Sequence, residues 1–221
     1  MLRSPTPAVA TLFAAVVLTL ATVGCNRGSS EPVAEPTTGA AGVAAAVASP
    51  VDTQHPVVLV STSLGDITLR LDAEHAPLTV ANFLRYVDQG YYNGTIFHQV
   101  VDGFVAVGGN YNADLAERPA EAPVRNEADN GVTNRRGTIA MARQAEVIDS
   151  ASSQFFLNLA DNKALDHRGR TPADYGYCVF GDVTAGQEVM DALAKVPVRD
   201  APNFEKLPAA TVAIREVRRL R

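Results

Sequence analysis

The sequence predicts an all-β fold, an antiparallel barrel closed or nearly closed on itself, with two helices plugging its ends. Three observations carry this. From Val57 onward the chain breaks into many short β-branched and aromatic runs separated by Gly, Asn or Asp, the pattern of an antiparallel sheet rather than of alternating strands and helices. Only two stretches, Ala76–Gly90 and Ala185–Val196, space their apolar residues as a helix does. A last run, Thr211–Val217, can pair near the first strand and remove both open edges.

Taken in order, Val57–Thr62 and Ile67–Leu71 read as an opening hairpin joined around Gly65-Asp66. Ala76-Pro77 opens a helix in which Val80, Phe83, Leu84 and Val87 recur at i, i+3, i+4 and i+7, and Gly90 ends it. Ile96–Val101 and Phe104–Val107 are two strands joined by Asp102-Gly103, a strong hairpin signal. Ala113–Gly137 is polar and rich in Pro, Asn and Asp, so it is a long loop with one short extended piece near Val124. Gly137–Arg143 and Gln154–Leu159 are the next strands, separated by a loop of charged and small residues. Asn162–Tyr175 is a loop, Tyr177–Phe180 a strand, and Ala185–Val196 the second helix, with Val189, Leu193 and Val196 on its buried face.

With 221 residues, 47% of them hydrophobic, the chain has room for one domain with a core, plus appendages. Nineteen Lys and Arg against 24 Asp and Glu leave no basic field for nucleic acid. Arg3, the apolar run Ala8–Val23 and Gly24-Cys25 resemble an export signal ending at a lipoprotein cleavage box. Residues 1–24 are then the signal, and Cys25 becomes the lipidated first residue. An ordinary secretory signal or a retained anchor would export the domain equally. Residues 25–54 are rich in Ala, Gly, Ser, Thr and Pro and cannot bury enough surface to offset their ordering entropy. They read as a disordered tether, averaging roughly 30 Å in span, that holds the 55–221 domain near the membrane outside the cytoplasm. With Cys25 carrying lipid, Cys178 has no partner, and its strand-like setting G-Y-C-V-F-G gives it a small apolar role. A monomer is expected.

Two polar residues, His98 and Gln99, interrupt the central hairpin. A polar group in such a strand either satisfies a structural hydrogen bond or lines a functional surface. No G-x-S-x-G, H-E-x-x-H, C-x-x-C or phosphate loop accompanies them, and His55, His75 and His167 show no metal-ligand spacing with His98. Neither a metal nor another cofactor is called for.

From His55 to Arg221 the chain resembles the cyclophilin family of peptidyl-prolyl isomerases. F-H-Q-V-V-D-G-F-V-A-V-G-G stands where the family has F-H-R-x-x-P-G-F-x-x-Q-G-G. N-E-A-D-N-G-V-T-N-R-R-G-T-I-A-M-A-R and S-S-Q-F-F-L-N-L look like its bacterial exported branch, and A-L-D and Y-G-Y-C-V-F-G-D-V follow in place. The resemblance implies an eight-stranded closed barrel and an isomerase acting on proline-containing unfolded or secreted polypeptides. It implies a proline slot of Phe104, Phe156 and Leu165, whose plainer alternative is barrel core. Gln154 orders the site and contacts peptide, and Tyr177 stands on the rim. Arg143 contacts the substrate backbone and is also a candidate for a supplied positive charge.

The donor position departs from the family. Gln99 replaces its Arg, Val107 its Gln before G-G, and Ala164 its Trp or Phe before L-D, while Val105 is also a changed pocket position. A neutral amide still donates a hydrogen bond, but charge-assisted bonds are stronger, and a loss of ~1–3 kcal/mol implies about 5–150-fold slower turnover. His98 reads as a structural histidine beside the substrate, since prolyl isomerisation transfers no proton. The alternative to a slow isomerase is a non-catalytic module that holds proline peptides or a partner protein at the membrane.

Overall fold

The computed structural model describes residues 52–220. The expected signal segment, most of the tether and Cys25 lie outside the described residues. Eight strands close a barrel in the order β1-β10-β3-β4-β6-β5-β7-β2, every neighbour antiparallel. They are β1 (Val57–Thr62), β2 (Gly65–Leu71), β3 (Thr95–Val100), β4 (Val105–Asn112), β5 (Thr138–Met141), β6 (Phe155–Asn158), β7 (Val179–Ala185) and β10 (Val212–Leu220). As the edge argument requires, the last strand pairs with the first, Val57 opposite Leu220 and Val60 opposite Val217. Helices α1 (Pro77–Asp88) and α2 (Gln187–Ala194) complete the expected pair.

Strand alternation sorts the side chains into two sets. Inward-facing rows such as Ala106–Leu157–Ile139 and Gly108–Phe155–Met141 run across β4, β6 and β5. Their apolar members join Val80, Phe83, Leu84 and Val87 of α1 and Val189, Met190 and Leu193 of α2 in one core. Phe83 reaches Tyr92, Phe155 and Phe180 with ring centroids 5.1, 5.8 and 5.1 Å away, within the range of favourable aromatic contact. The N-terminus of α1 has no side-chain cap of its own. The Glu127 carboxylate, brought in by the long loop, accepts from the Leu78 and Thr79 amides at 3.2 and 2.8 Å and from the Thr79 hydroxyl at 2.8 Å. It thus meets two of the orphan donors of the first turn with the charge that turn favours.

Several boundaries differ from the sequence expectation. Thr62 pairs with Gly65, so the first turn is Ser63-Leu64 and Gly65-Asp66 already belongs to β2. The strand expected at Tyr177–Phe180 begins at Val179 and runs on to Ala185. Gly181, just past the expected end of that strand, is a mid-strand glycine needed for close approach: a Cβ there would lie 2.7 Å from the Arg70 carbonyl oxygen. The second helix is shorter than expected, and Met190 rather than Val196 completes its buried face. A hairpin outside the barrel, β8 (Val198–Ala201) and β9 (Phe204–Pro208), was not expected at all. Its strands are largely exposed and carry no period-two alternation, the one signal that would have announced them.

Candidate active site

The outward faces of five adjacent strands form one continuous row. Gln99 on β3 stands opposite Val107 on β4, Val107 opposite Phe156 on β6, Phe156 opposite Ala140 on β5, and Ala140 opposite Val179 on β7. On a barrel exterior such a row would normally be polar. Here it is the floor of a second apolar cluster, separate from the core, that gathers Val105, Val107, Ala140, Ala142, Phe156, Leu165, Tyr177 and Val179, with Phe104 packed against it. The Phe156 and Tyr177 rings meet edge to face at 5.7 Å.

The walls come from loops. Phe104 closes the β3–β4 turn, where Gly103 takes φ +67 and the Phe104 amide donates to the Val101 carbonyl at 3.0 Å. Leu165 ends a 3-10 turn, Lys163–Leu165, and is fully buried. Tyr177 sits two residues before β7, its amide donating to the Leu165 carbonyl at 2.9 Å. Ala164, beside Leu165, is exposed and adds no wall. The cluster thus gathers apolar side chains of a kind that would suit a small apolar ring, and Gln99 stands at one end of its strand row. Gln99 is 8% exposed, and its amide is neither hydrogen-bonded among the described residues nor among their sealed, unpartnered polar atoms. It is an available donor and acceptor.

His98 turns away from that role. Its Nε2 lies 2.9 Å from Nε2 of half-buried Gln154, and Tyr111 and Phe204 pack edge-on to its ring at 4.8 and 6.3 Å. Burial pushes its pKa down to about 3, so it is neutral at physiological pH. Tyr111 and the unexpected hairpin's Phe204 touch each other at 5.0 Å. Together they build an aromatic wall on the Gln154 side that sequence reasoning missed. Tyr111 lies past the expected end of its strand, beyond Gly108-Gly109-Asn110, and Phe204 in a strand without period, so no local signal announced either.

Arg143 is buried, and its donors are occupied. Nε donates to the Gly176 carbonyl at 2.9 Å, Nη1 to Gln144 and Ala145 at 2.9 Å each, and Nη2 to Pro172 at 2.6 Å. Its guanidinium lies 4.9 Å from the Tyr177 ring centroid, and burial lowers its pKa. Four carbonyls and an aromatic face make it a clamp joining two loops at the rim. Cys178, at the far side of Tyr177, is a buried free thiol, 3.4 Å from the Thr79 hydroxyl, with its pKa pushed up to about 12 by burial. It is an inert packing residue.

This fold has known counterparts. The family model described as cyclophilin type peptidyl-prolyl cis-trans isomerase/CLD matches residues 57–219. The chain belongs to the cyclophilin family. It is 47% identical over 161 residues to peptidyl-prolyl cis-trans isomerase A of Dickeya dadantii, spanning 73% of this chain and 83% of that relative. Against peptidyl-prolyl cis-trans isomerase B of Escherichia coli it is 39% identical over 161 residues, 73% of this chain and 98% of the relative. A crystal structure of a Cryptosporidium parvum cyclophilin type isomerase superposes with a TM-score of 0.65 at 24% identity, covering 76% of this chain and 98% of that one, which speaks for the fold alone. The cyclophilin is thus a peptidyl-prolyl cis-trans isomerase, and its substrates are proline-containing peptides.

Proposed function

We propose that this cyclophilin isomerises X-Pro bonds of exported polypeptides through the Gln99 end of the outer cleft, more slowly than an enzyme carrying arginine there. Rotation about a peptide bond costs ~18–20 kcal/mol because resonance gives the C–N bond double character. The twisted amide has lost that resonance and its nitrogen has regained a lone pair, so a donor aimed at the twisted form lowers the barrier without nucleophile, metal or proton transfer. Phe104, Phe156 and Leu165, with Val105 and Val107, take the proline ring. Gln154 and Tyr177 hold the flanking peptide, and Gln99 donates. The observation that carries this is Gln99 directly across from Val107 on the apolar row: an unbonded amide, and no charge, at the end of the slot. His98 and Arg143 then act as supports, one beneath Gln154 and one beneath Tyr177, rather than as proton or charge donors.

A second reading rests on the same residues. With Gln99, Val107 and the exposed Ala164 in place, the cleft would bind proline peptides and release them unchanged. A protease-free isomerisation assay on a proline tetrapeptide, paired with a peptide titration, separates the two. Turnover above the uncatalysed rate supports the enzyme; binding at the uncatalysed rate overturns it in favour of the binding module. The same proposal places the domain as a monomer on a tether from lipidated Cys25, outside the cytoplasm. Palmitate labelling that is lost in Cys25→Ser supports the anchor, and labelling that persists removes it.

A further inference from the structure

The floor of the cleft is made of strands, whose spacing the barrel ladder fixes. The walls are not: Phe104, Leu165 and Tyr177 all lie outside strands, Phe104 in the β3–β4 connection and Leu165 and Tyr177 at two points of the long β6–β7 connection. Something other than the ladder must set their distance from the floor. Beneath them three asparagines, Asn134, Asn158 and Asn162, are 2%, 0% and 6% exposed, and their side chains are joined head to tail. The Asn162 amide donates to Asn158 Oδ1 at 2.7 Å, and the Asn158 amide to Asn134 Oδ1 at 3.2 Å.

The two ends of this chain terminate on the backbones of the walls. Asn162 Nδ2 also donates to the Phe104 carbonyl at 2.9 Å. Asn134 Nδ2 reaches the Leu165 and Tyr177 carbonyls at 3.1 and 3.3 Å. The middle member is fixed to the floor: Asn158 belongs to β6, two residues after Phe156, and donates to Thr138 Oγ1 of β5 at 2.8 Å. Asp166 holds the remaining corner, its Oδ1 accepting from the Asn134 backbone amide at 2.6 Å.

We propose that Asn134, Asn158 and Asn162 are positioning residues for isomerisation: a buried amide relay that fixes the three loop-borne walls of the proline slot relative to its strand-borne floor. Asn162 donates at the head, and Asn158 and Asn134 each accept on one side and donate on the other, an arrangement in which bonds polarise one another and which leaves a costly unpaired group if any link is cut. The role rests on the assignment of the slot made above, and it concerns binding of the proline ring, which precedes and accompanies bond rotation alike.

The test compares Asn162→Ala with Asn82→Ala. Asn82 is also a buried asparagine, donating to the Ser152 carbonyl at 2.6 Å from α1, outside the slot. Both variants lose buried hydrogen bonds and both lose stability, so activity and peptide binding are measured well below either unfolding temperature. Asn162→Ala is expected to lower kcat/KM about tenfold, with the loss in KM rather than kcat and a matching loss of peptide affinity. It is also expected to bring on slow exchange at the Leu165 and Tyr177 amides in NMR relaxation dispersion. Asn82→Ala is expected to leave both readouts at the wild-type level. The inference falls if folded Asn162→Ala binds peptide normally with quiet wall amides, or if Asn82→Ala disturbs both as strongly. Wild-type protein that neither binds nor turns over the peptide would refute the slot assignment, and the wall amides alone would then decide whether the relay holds the loops.

Discussion

Replacing Gln99 by arginine puts a charged donor at the end of the proposed slot and isolates what the amide contributes. A hydrogen bond from a charged donor stabilises by ~1.5–3 kcal/mol against ~0.5–1.5 for a neutral one, a gross gain of ~1–2 kcal/mol in the twisted-amide state. The position is 8% exposed, faces Val107 and offers no carboxylate among its strand partners. The guanidinium must therefore extend along the apolar row toward water, as long charged side chains do, at a cost of roughly 1 kcal/mol. The single variant Q99R should accordingly gain anything from almost nothing to about fivefold in kcat/KM. Adding V107Q supplies an acceptor directly across the β3–β4 pair that holds the new donor in place, and the double variant should reach about five- to thirtyfold. Single-turnover isomerisation on one tetrapeptide, with the four proteins of the cycle, measures this. A folded, peptide-binding Q99R/V107Q with wild-type turnover refutes Gln99 as the donor position.

Two further outcomes follow from the packing. His98, neutral in the fold with its pKa pushed to about 3, takes up its proton near pH 6.5 once unfolded. The unfolded state then binds more protons below pH 6.5, so stability is full above that value and falls as pH drops toward 3, by about 1.4 kcal/mol per unit. Denaturation midpoints at pH 6.5 and 4.5 should differ by ~2–3 kcal/mol from this group, and His98→Gln should remove that part of the slope. Glu127→Ala deletes the one carboxylate that, among the described residues, is bound to the first turn of α1 and should cost ~1–2 kcal/mol of stability with kcat/KM unchanged; a loss below 0.3 kcal/mol by urea titration, roughly the scatter of such values, would show that water caps the helix as well.

How much was legible depends on the range of the interaction that fixes each feature. The barrel class, the opening hairpin, α1 and the 101–104 turn come from alternation, helical spacing and Asp102-Gly103, all signals carried within a few residues. The continuation of β7 past Phe180 was not legible, because a glycine lying under a neighbouring strand carries no local signal until the neighbour is in place. The β8–β9 hairpin left no trace in the pattern because neither face of it is cleanly buried.

The site divides the same way. By itself the sequence determined the residue types: a neutral amide at 99, valine at 107, phenylalanine at 104 and 156. It could not determine that Gln99, Val107, Phe156, Ala140 and Val179 form one row, because they come from five strands and only their register aligns them. Nor could it show that Arg143 spends its charge on four carbonyls, or that Asn134 of the long loop meets Asn158 and Asn162 beneath the walls. Composition and period are properties of a chain read in order. Register and hydrogen-bond partnership are properties of segments brought together by closure of the barrel, and only the tertiary structure decides them.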